Sequence, residues 1–272
     1  MTADRDSSPP SMRSDADLAD HETAIGIAAA VIFAEHDRIV LSYSGGAESG
    51  LLLHLLRPFR PRFTALWVNP GALPHEAEHV RRQAAGGPFV EVPSDRQAFW
   101  RRHGLPSALV PSRQMTVFPS DTPMPRPPIV PLGACCYGVR TSPAEGWCAQ
   151  NGVTMFIHGQ RRGEGSGMFA ASPRPFSLWA PLARWTRSEV MRRVAHHGVP
   201  LPVQYGEGFP ESFECAVCPA NLGAARLAFL RRHYPDHHAA TLALAREVMG
   251  TVAGTFAGMD SLLRAAEGEG GQ

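Results

Sequence analysis

The amino-acid sequence predicts an α/β protein with a doubly wound parallel sheet and a helical extension at its C-terminus. Two observations lead to this fold class. Short apolar runs of strand length alternate with segments of helical pattern between residues 38 and 198, as in parallel sheets with crossover helices. Residues 222–263 then show a helical pattern without strand signals.

Size and composition predict one main domain with short flanking segments. The chain has 272 residues, of which 44% are hydrophobic and 19% charged, as is ordinary for a globular enzyme. We predict a disordered leader over residues 1–20, a main domain over 21–220, a helical extension over 221–264 and a flexible tail over 265–272. The net charge of +1 gives no global attraction to nucleic acid or membrane. No apolar run approaches the roughly 18 to 20 residues of a membrane span, and the N-terminus is polar, so we expect a cytoplasmic protein.

Each predicted element has its own local signal. β-branched and aromatic residues mark the predicted strands, which are 39–41, 63–68, 89–92 and 154–158. The predicted helices are 21–36, one beginning at Leu51, 75–85, 135–150, one capped by Thr186 and ending at His197, and 222–263 with a break at residues 234–236. The cap at Thr186 is predicted as a capping box because Glu189 stands at the N3 position.

The segment after the first predicted strand has the composition of an anion-binding loop. Gly45 and Gly46 can adopt positive φ angles and let backbone N–H groups approach a ligand. Ser42, Ser44 and Ser49 add hydroxyl groups near the start of a helix, where the helix dipole favours negative charge. The expected ligand is a phosphate ester, and the alternative is a plain Gly-Gly turn between strand and helix.

A proline-rich segment separates the third and fourth predicted strands. Prolines are frequent between residues 105 and 132, and proline is excluded from helix interiors and central strands. We therefore predict a long loop across the top of the sheet. It is either a lid for the site or a passive linker.

Four of the five cysteines form two pairs that lie far apart in the sequence. Cys135 and Cys136 are adjacent, Cys215 and Cys218 form a CxxC, and 78 residues separate the pairs. Four thiolates in this arrangement can close a tetrahedral sulfur site, which suits zinc or an iron–sulfur cluster. Adjacent cysteines are unusual zinc ligands, whereas they can reach two irons of a cubane cluster.

The glycine-serine loop resembles the SGGxDS pyrophosphate loop (PP-loop) of the adenine-nucleotide alpha-hydrolase superfamily. That superfamily includes ATP pyrophosphatases, tRNA-thiolation enzymes and the phosphoadenosine-phosphosulfate (PAPS) reductase family. A Walker A loop is excluded because it requires a lysine, and the chain contains none. Glu48 stands where many members have aspartate, which keeps a carboxylate for Mg²⁺ on a side chain one methylene longer.

The order of the cysteines resembles the 4Fe-4S signature of assimilatory adenylylsulfate (APS) reductases, a branch of the PAPS reductase family. Other motifs between residues 38 and 220 are also similar to that family. Cys135-Cys136-Tyr137-Gly138-Val139-Arg140 resembles the family's CC segment with a following basic residue, and Gly159-Gln160-Arg161-Arg162 with Ser166 resembles its GQRRxxS motif. Residues 179–190 resemble its PLxxWxxxDV segment, and Gly208-Phe209-Pro210 before Cys215 resembles its GxPS motif. Asn69-Pro70-Gly71 stands at the DTG of its DTGxxxPET motif.

The sequence also departs from this signature. Thr141 stands where APS reductases usually have a lysine beside the cluster. Those reductases use a C-terminal cysteine as the nucleophile that takes sulfite from the substrate, and this sequence has no cysteine after Cys218. Cys148 is the only cysteine outside the two pairs, and it is either a buried structural thiol or a relocated nucleophile.

Several charged residues have both a functional and a structural interpretation. Arg161 and Arg162 are predicted anion ligands at a strand end, or a solvated pair. Glu164 could hold Mg²⁺ or pair with one of these arginines. Arg140 could offset thiolate charge or form a surface salt bridge. We predict solvated helix faces for His196-His197, His237-His238 and Arg231-Arg232-His233, although the last run could dock a polynucleotide.

The resemblance implies an adenine nucleotide at the ends of the strands. The implied catalytic residues are Glu48, Arg161 and Arg162; the implied nucleotide contacts are Ser42, Ser44, Gly45, Gly46, Ser49, Asn69, Gly159 and Gln160; and the implied cluster ligands are Cys135, Cys136, Cys215 and Cys218. The implied cofactors are a 4Fe-4S cluster, ATP or APS/PAPS, and Mg²⁺.

Two chemistries fit these residues. In the first, ATP is split between its α and β phosphates, and the adenylated substrate, such as a nucleic acid, receives sulfur from a donor such as a cysteine desulfurase. In the second, APS or PAPS is reduced to sulfite with electrons from a thioredoxin-like thiol protein. A nucleotide- and cluster-binding subunit without turnover is the third hypothesis. No membrane partner is expected, and a homo-oligomer is compatible with the sequence.

Overall fold

The computed structural model of the chain describes residues 13–108, 129–161 and 174–269. Within them, five strands form one sheet in the spatial order β3 (Phe89–Pro93), β2 (Phe63–Asn69), β1 (Ile39–Ser42), β6 (Met155–Ile157) and β7 (Ser177–Trp179). β1 pairs with β6 in parallel, and β6 pairs with β7 in parallel. The predicted doubly wound α/β fold is confirmed.

The strand order reverses between β1 and β6. From β1 the chain continues outward to β2 and β3 on one side, and it returns to build β6 and β7 on the other. Ile39 pairs with Met155 and Leu41 with Ile157, so the carboxyl ends of these two strands lie at the same edge. In open α/β sheets such a reversal point is where ligands bind. The fold therefore predicts a ligand site at the segments that follow β1 and β6.

Most predicted helices are present with small shifts in their ends. The helices are α1 (Asp15–Glu35), α2 (Ala47–Leu55), α3 (Pro74–Ala84), α4 (Arg96–His103), α5 (Leu132–Cys136), α6 (Ser142–Gln150), α7 (Arg187–His196), α8 (Ala224–His233) and α9 (Pro235–Glu269). The capping box at Thr186 is confirmed, since its hydroxyl accepts from the Glu189 N–H and the Glu189 carboxylate accepts from the Thr186 N–H. The predicted break before α9 is also confirmed, and Pro235 occupies the first position of that helix.

The predicted start of the first helix was wrong by six residues. α1 begins at Asp15 because Ser14 and Asp17 form a capping box that the sequence analysis missed. Part of the predicted leader over residues 1–20 is thus helical, and residues 1–12 lie outside the described residues. At the other end, α9 continues to Glu269, past the predicted boundary at residue 264.

The ends of the predicted long loop are strands. β4 (Leu105–Ser107) and β5 (Ile129–Pro131) pair in parallel, with Leu105 opposite Ile129. Pro106 is tolerated because a two-stranded sheet consists of edge strands only, which need not donate every N–H group. Residues 109–128, which make up most of the predicted lid or linker, lie outside the described residues. β7 was not predicted either.

The chain forms two compact units, and neither is continuous in sequence. The first takes in residues up to Ala65 together with Gln83–Phe89 and Gly152–Leu201, and the second takes in Leu66–Arg82, Val90–Asn151 and the residues from Pro202 onward. Among the helices that the structure describes, none is both long and apolar enough to traverse a lipid bilayer.

The core of the first unit is built from α1, α2 and the central strands. Phe33 of α1 is fully buried and stacks on Phe59 with ring centroids 4.6 Å apart. The β1 residues Ile39, Val40 and Leu41 are also buried, as their apolar run predicts. The core of the second unit includes Phe209, Phe213 and Phe229 among other residues.

Candidate functional site

The loop between β1 and α2 is shaped by its own hydroxyl groups. The Ser44 N–H donates to Ser49 Oγ at 3.2 Å, and Ser49 Oγ lies 3.3 Å from the Gly46 carbonyl oxygen, to which it donates. Gly45 has φ of 78°, a left-handed conformation that favours glycine. Gly46 is the N-cap of α2. Backbone N–H groups and hydroxyls are thereby gathered at a helix N-terminus, as in anion-binding loops.

Glu48, in the first turn of α2, binds two arginine side chains from later in the chain. Its Oε1 accepts from Arg161 Nε at 3.1 Å and also from Arg187 Nη1. Only 16% of the Glu48 side chain is exposed, and the corresponding values for Arg161 and Arg187 are 15% and 31%. We call these three residues the Glu48 clamp. It places two guanidinium groups directly beside the phosphate loop.

Glu48, the predicted Mg²⁺ ligand, would have to exchange these arginines for the ion, and the Mg²⁺ site stays a prediction. Two guanidinium groups already neutralise the carboxylate, and a divalent cation at this position would meet their positive charge. Arg187 was missed by sequence reasoning. The capping box predicted that Arg187 begins a helix, but only the packing of α7 against α2 brings it to Glu48.

The segment after β6 packs tightly on the phosphate loop. A Cβ atom at Gly159 would lie 2.9 Å from Glu48 Cβ and 3.2 Å from the Glu48 carbonyl carbon, so this close approach requires glycine. Burial lowers the pKa of His158 to about 4, and the nearby Arg174 adds to the effect. The neutral His158 ring accepts from the Gln160 N–H at 3.4 Å through Nδ1. Arg161 follows directly, and Arg162, Glu164 and Ser166 lie outside the described residues.

Asn69, a predicted nucleotide contact, stabilises the loop that follows β2. Its Oδ1 accepts from the N–H groups of Gly71 and Ala72 at 3.0 and 2.9 Å, and its Nδ2 donates to Glu91 at 2.8 Å. Gly71 has φ of 98°. The side chain therefore has a structural role in the second unit, and its contact with a nucleotide stays a prediction.

The two cysteine pairs converge in the second unit. Cys135 packs with Val130 and Val139, and Cys215 lies against the same cluster. Burial raises the pKa of the Cys135 thiol to about 12, and electrostatic repulsion from the thiols of Cys136, Cys215 and Cys218 adds to the rise. The tertiary structure thus brings together all four cysteines that the sequence singles out, although the pairs are 78 residues apart.

The segment after the adjacent cysteines has an unusual helical geometry. α5 continues into a π-helical turn, Tyr137–Thr141, before α6 begins. Such turns are rare in proteins as a whole, and those that occur are often found at functional sites. A Cβ atom at Gly138 would lie only 2.2 Å from Phe99 Cε2 of α4, so a side chain at this position would displace the turn. The neighbouring Trp100 donates its indole N–H to Cys135 Sγ at 3.3 Å.

The CxxC loop is fixed by contacts at its backbone. Glu214 adopts φ of 49°, a left-handed conformation that is uncommon outside glycine, and its carboxylate pairs with Arg140. The Ala216 N–H donates to the Gly71 carbonyl oxygen at 2.9 Å. Arg226 donates to the carbonyl oxygens of Cys215 and Ala216 at 2.7 and 3.1 Å. Arg140 therefore both forms a salt bridge and lies beside the thiols, since its charge also interacts with Cys136 and Cys215.

Two further arginines near the thiols have buried nitrogen atoms without hydrogen-bond partners. These atoms are Nε and Nη1 of both Arg96 and Arg226. Arg96 interacts electrostatically with Cys215, and Arg226 interacts with Cys215 and Cys218. Four sulfur ligands with unpaired cationic donors around them fit a group that carries negative charge and additional acceptor atoms, as an iron–sulfur cluster does.

Within residues 13–108, 129–161 and 174–269, no three His, Cys, Asp or Glu side chains are placed to hold a single ion. A cubane cluster has a different requirement, because each of its thiolates binds a different iron. That the four cysteines are cluster ligands stays a prediction.

Cys148, the fifth cysteine, is a buried thiol. It lies in α6 with no exposed surface, and burial raises its pKa to about 12. The thiolate is the reactive form of cysteine, so this residue has the properties of a structural thiol rather than those of a nucleophile.

The histidine and arginine runs make local contacts on the helices. His197 Nε2 lies 3.0 Å from Glu22 Oε1, and His196 is exposed. His233 and Arg232 both contact Glu207, at 2.6 and 3.3 Å. These contacts are those of partly solvated helix faces.

The comparisons with known proteins place the chain in a family. Residues 38–221 match the phosphoadenosine phosphosulfate reductase domain. The structure defines the class of protein as an α/β protein with a nucleotide-binding type of fold, and the glycine-serine loop lies at its strand reversal. The chain belongs to the PAPS reductase family, within the adenine-nucleotide alpha-hydrolase superfamily.

The solved structures that match the chain have low sequence identity to it. The PAPS reductase from Candida auris, in a phosphate complex, is 15% identical with a TM-score of 0.43, and the match covers 72% of this chain and 93% of that one. A predicted subunit of tRNA methyltransferase from Methanocaldococcus jannaschii is 13% identical with a TM-score of 0.38, covering 58% and 74%. No curated protein matches the sequence.

Proposed function

We propose that this protein is an enzyme of sulfur metabolism that adenylates a substrate with ATP and thereby prepares it for sulfur transfer, and that its four paired cysteines hold a 4Fe-4S cluster. The observation that carries the proposal is the phosphate loop with the Glu48 clamp. The loop places the Ser44 and Ser49 hydroxyls at the start of α2, where the helix dipole favours negative charge, and Arg161 and Arg187 add positive charge.

In the proposed reaction, a substrate oxygen or nitrogen attacks the α-phosphorus of ATP. The bond between the α-phosphorus and the bridging oxygen breaks, and pyrophosphate leaves with the negative charge. Hydrogen-bond donors and cations that are already in place stabilise such a leaving group without reorganisation. The phosphate loop would hold pyrophosphate, and Arg161 and Arg187 would face its developing charge. The sulfur would come from a separate donor protein, such as a cysteine desulfurase, and nucleic acid is a candidate acceptor.

The cysteines and the basic residues around them would hold the cluster. Cys135, Cys136, Cys215 and Cys218 are the proposed ligands, and the Trp100 indole N–H already donates to Cys135 Sγ. When bound, a 4Fe-4S cluster supplies a site for electron transfer or for binding sulfur. Because thiolates are the ligands and burial raises the thiol pKa values, cluster assembly should release protons and be favoured at higher pH.

The second candidate function is reduction of APS or PAPS to sulfite. The cysteine order and the absence of an open carboxylate for Mg²⁺ in the Glu48 clamp favour it, because a reductase does not break a phosphoanhydride bond. The state of Cys148 argues against it. Every other cysteine belongs to the proposed cluster, and Cys148 is buried with a high pKa, so a partner such as a thioredoxin-like protein would have to provide the attacking thiol.

Two measurements test the proposal. Protein purified without oxygen should be brown and contain iron and sulfide in equal amounts; Cys135→Ser should bleach it, whereas Cys148→Ser should leave the colour unchanged. A colourless protein with one zinc would contradict the cluster. Calorimetry on the cluster-loaded protein should then show tighter binding of ATP than of APS or PAPS.

Pyrophosphate release is the activity test. With ATP and a thiolation acceptor, the wild-type protein should release pyrophosphate, and Ser44→Ala and Glu48→Ala should abolish the release. Ser261→Ala, on the exposed surface of α9, is the matched control and should retain it. Sulfite formation from APS with thioredoxin, without pyrophosphate release, would overturn the adenylation proposal in favour of the reductase. Nucleotide binding without any turnover would indicate the non-catalytic subunit.

A further inference from the structure

We propose that Arg226 and Arg96 form the charge-compensating shell of the cluster, donating N–H groups to its sulfur atoms and raising its reduction potential. The inference rests on the proposed cluster and adds two residues to it that no motif in the sequence singled out. The two arginines would also supply positive charge that is missing at position 141, where threonine replaces the lysine expected from the family resemblance.

Arg226 is buried more completely than an arginine normally is. It is 1% exposed, at the start of α8, and its guanidinium lies 4.6 Å from the centroid of the Phe213 ring. Nη2 is satisfied by the carbonyl oxygens of Cys215 and Ala216. Nε and Nη1 have no partner. A buried donor without a partner destabilises the folded state, so the fold keeps this side chain at a considerable cost.

The groups that face Arg226 are mainly the thiols. Its charge interacts with Cys218 and Cys215, with the carboxyl of Glu76, and unfavourably with Arg96. Glu76 directs one carboxylate oxygen to Gln204 and to the Phe213 N–H instead. Cys218 and Cys215 therefore come first among the side chains whose charge would act on Arg226, and as cluster ligands these thiols would carry negative charge.

Arg96 approaches the same cysteines from α4. Its Nε and Nη1 are buried without a partner, and its guanidinium lies 4.9 Å from the centroid of the Trp100 ring. Trp100 donates to Cys135, and the Arg96 charge acts on Cys215. Arg96 and Trp100 thus form a stacked pair of donors beside the thiols.

Arg140 differs from these two arginines because its charge is already balanced. It forms a salt bridge with Glu214, the residue before Cys215. Arg96 and Arg226 have no carboxylate within hydrogen-bonding distance in the described part of the chain. Hydrogen bonds to cluster sulfurs and nearby positive charge stabilise the reduced, more negative state, and so raise the potential. The unpaired N–H groups would find their acceptors in the cluster.

The test is a redox titration of cluster-loaded protein, followed by visible absorbance and by EPR of the reduced form. Arg96→Gln should lower the ratio of reduced to oxidised cluster at a fixed solution potential by roughly severalfold, because its charge and N–H groups stabilise the reduced cluster more than the oxidised one. Arg226→Gln should act in the same direction, and Arg226→Lys should recover part of the loss because it keeps the charge. Arg101→Gln is the matched control, since Arg101 lies on the same helix with its side chain 69% exposed, and it should titrate like the wild type.

Each outcome of the titration either supports or overturns the role of Arg96 and Arg226 beside the cluster. If Arg226→Gln fails to fold, Arg96→Gln still tests the inference, because Arg96 holds no backbone carbonyl of the CxxC loop. Unchanged midpoints in both Arg96→Gln and Arg226→Gln, with the cluster present, would overturn the shell and leave the proposed function standing. A wild-type protein that takes up no iron would overturn both.

Discussion

Replacing Glu76 by glutamine should remove a strong pH dependence from the stability of the protein. Glu76, in α3, is 3% exposed. Its Oε1 accepts from Gln204 Nε2 at 2.6 Å and from the Phe213 N–H at 2.8 Å, while Oε2 is buried with no partner. Burial raises its pKa from 4.5 to about 7, since the hydrogen bonds only partly offset the loss of water.

The sign and size of the effect follow from linkage. Between pH 4.5 and 7 the folded state keeps a proton that the unfolded chain releases, so the stability from this group is fully present below pH 4.5 and is lost as the pH rises through 7. A pKa of about 7 instead of 4.5 corresponds to roughly 3 kcal/mol at higher pH. Glu214 raises the pKa and Arg226 lowers it, and both effects are smaller than that of burial.

Glutamine mimics the protonated carboxyl, because its oxygen can accept the same two hydrogen bonds. Glu76→Gln should therefore match the wild type at about pH 5 and be more stable at about pH 8, by roughly 3 kcal/mol. In an anaerobic thermal unfolding experiment that difference is roughly 6 to 12 °C for a chain of this size.

The control is Glu78→Gln on the same helix, whose side chain is 77% exposed, and it should follow the wild type at every pH. The informative quantity is the difference in midpoint between variant and wild type, since histidines and other carboxyls alter both proteins equally. A difference that stays constant from pH 5 to 8 would refute the account of Glu76 as a buried carboxyl that stays protonated near neutral pH.

Three further predictions concern the candidate site. Arg187→Gln should weaken nucleotide binding by roughly tenfold or more in calorimetry, because a charged donor beside the phosphate loop is lost, whereas the exposed Arg184→Gln should not; equal affinities would remove Arg187 from the site. Gly159→Ala should also weaken nucleotide binding, because its Cβ would lie 2.9 Å from Glu48 Cβ. Gly146→Ala, with open space around it, is the control and should bind nucleotide normally. Normal binding by Gly159→Ala would show that the loop can move to accommodate the added methyl group. Cys148→Ala should leave iron content unchanged but lower the unfolding midpoint through a small cavity, and a loss of iron would make this thiol a ligand.

Much of the fold was predictable because its signals are local. The apolar run of β1, the Gly45-Gly46 turn and the Thr186 capping box each depend on neighbouring residues, and the structure confirms the elements that they predict. The misplaced start of α1 was also a local matter, since Ser14 and Asp17 form a capping box that could have been read from the sequence. Two of the three missed strands, β4 and β5, are three residues long and contain proline, so their pairing is decided by the partner strand.

The features of the candidate site likewise separate into those that the sequence predicted and those that depend on the folded chain. Residue type and spacing were enough to indicate the family, the glycine-serine loop and the two cysteine pairs. The pairing of Arg187 with Glu48, the burial of Cys148 and the electrostatic interaction of Arg96 and Arg226 with the thiols became visible only in the folded chain. An arginine has the same local propensities on a wet helix face as beside a buried thiol. What distinguishes the two is the loss of water and the approach of distant charges, and both arise only when the chain has folded.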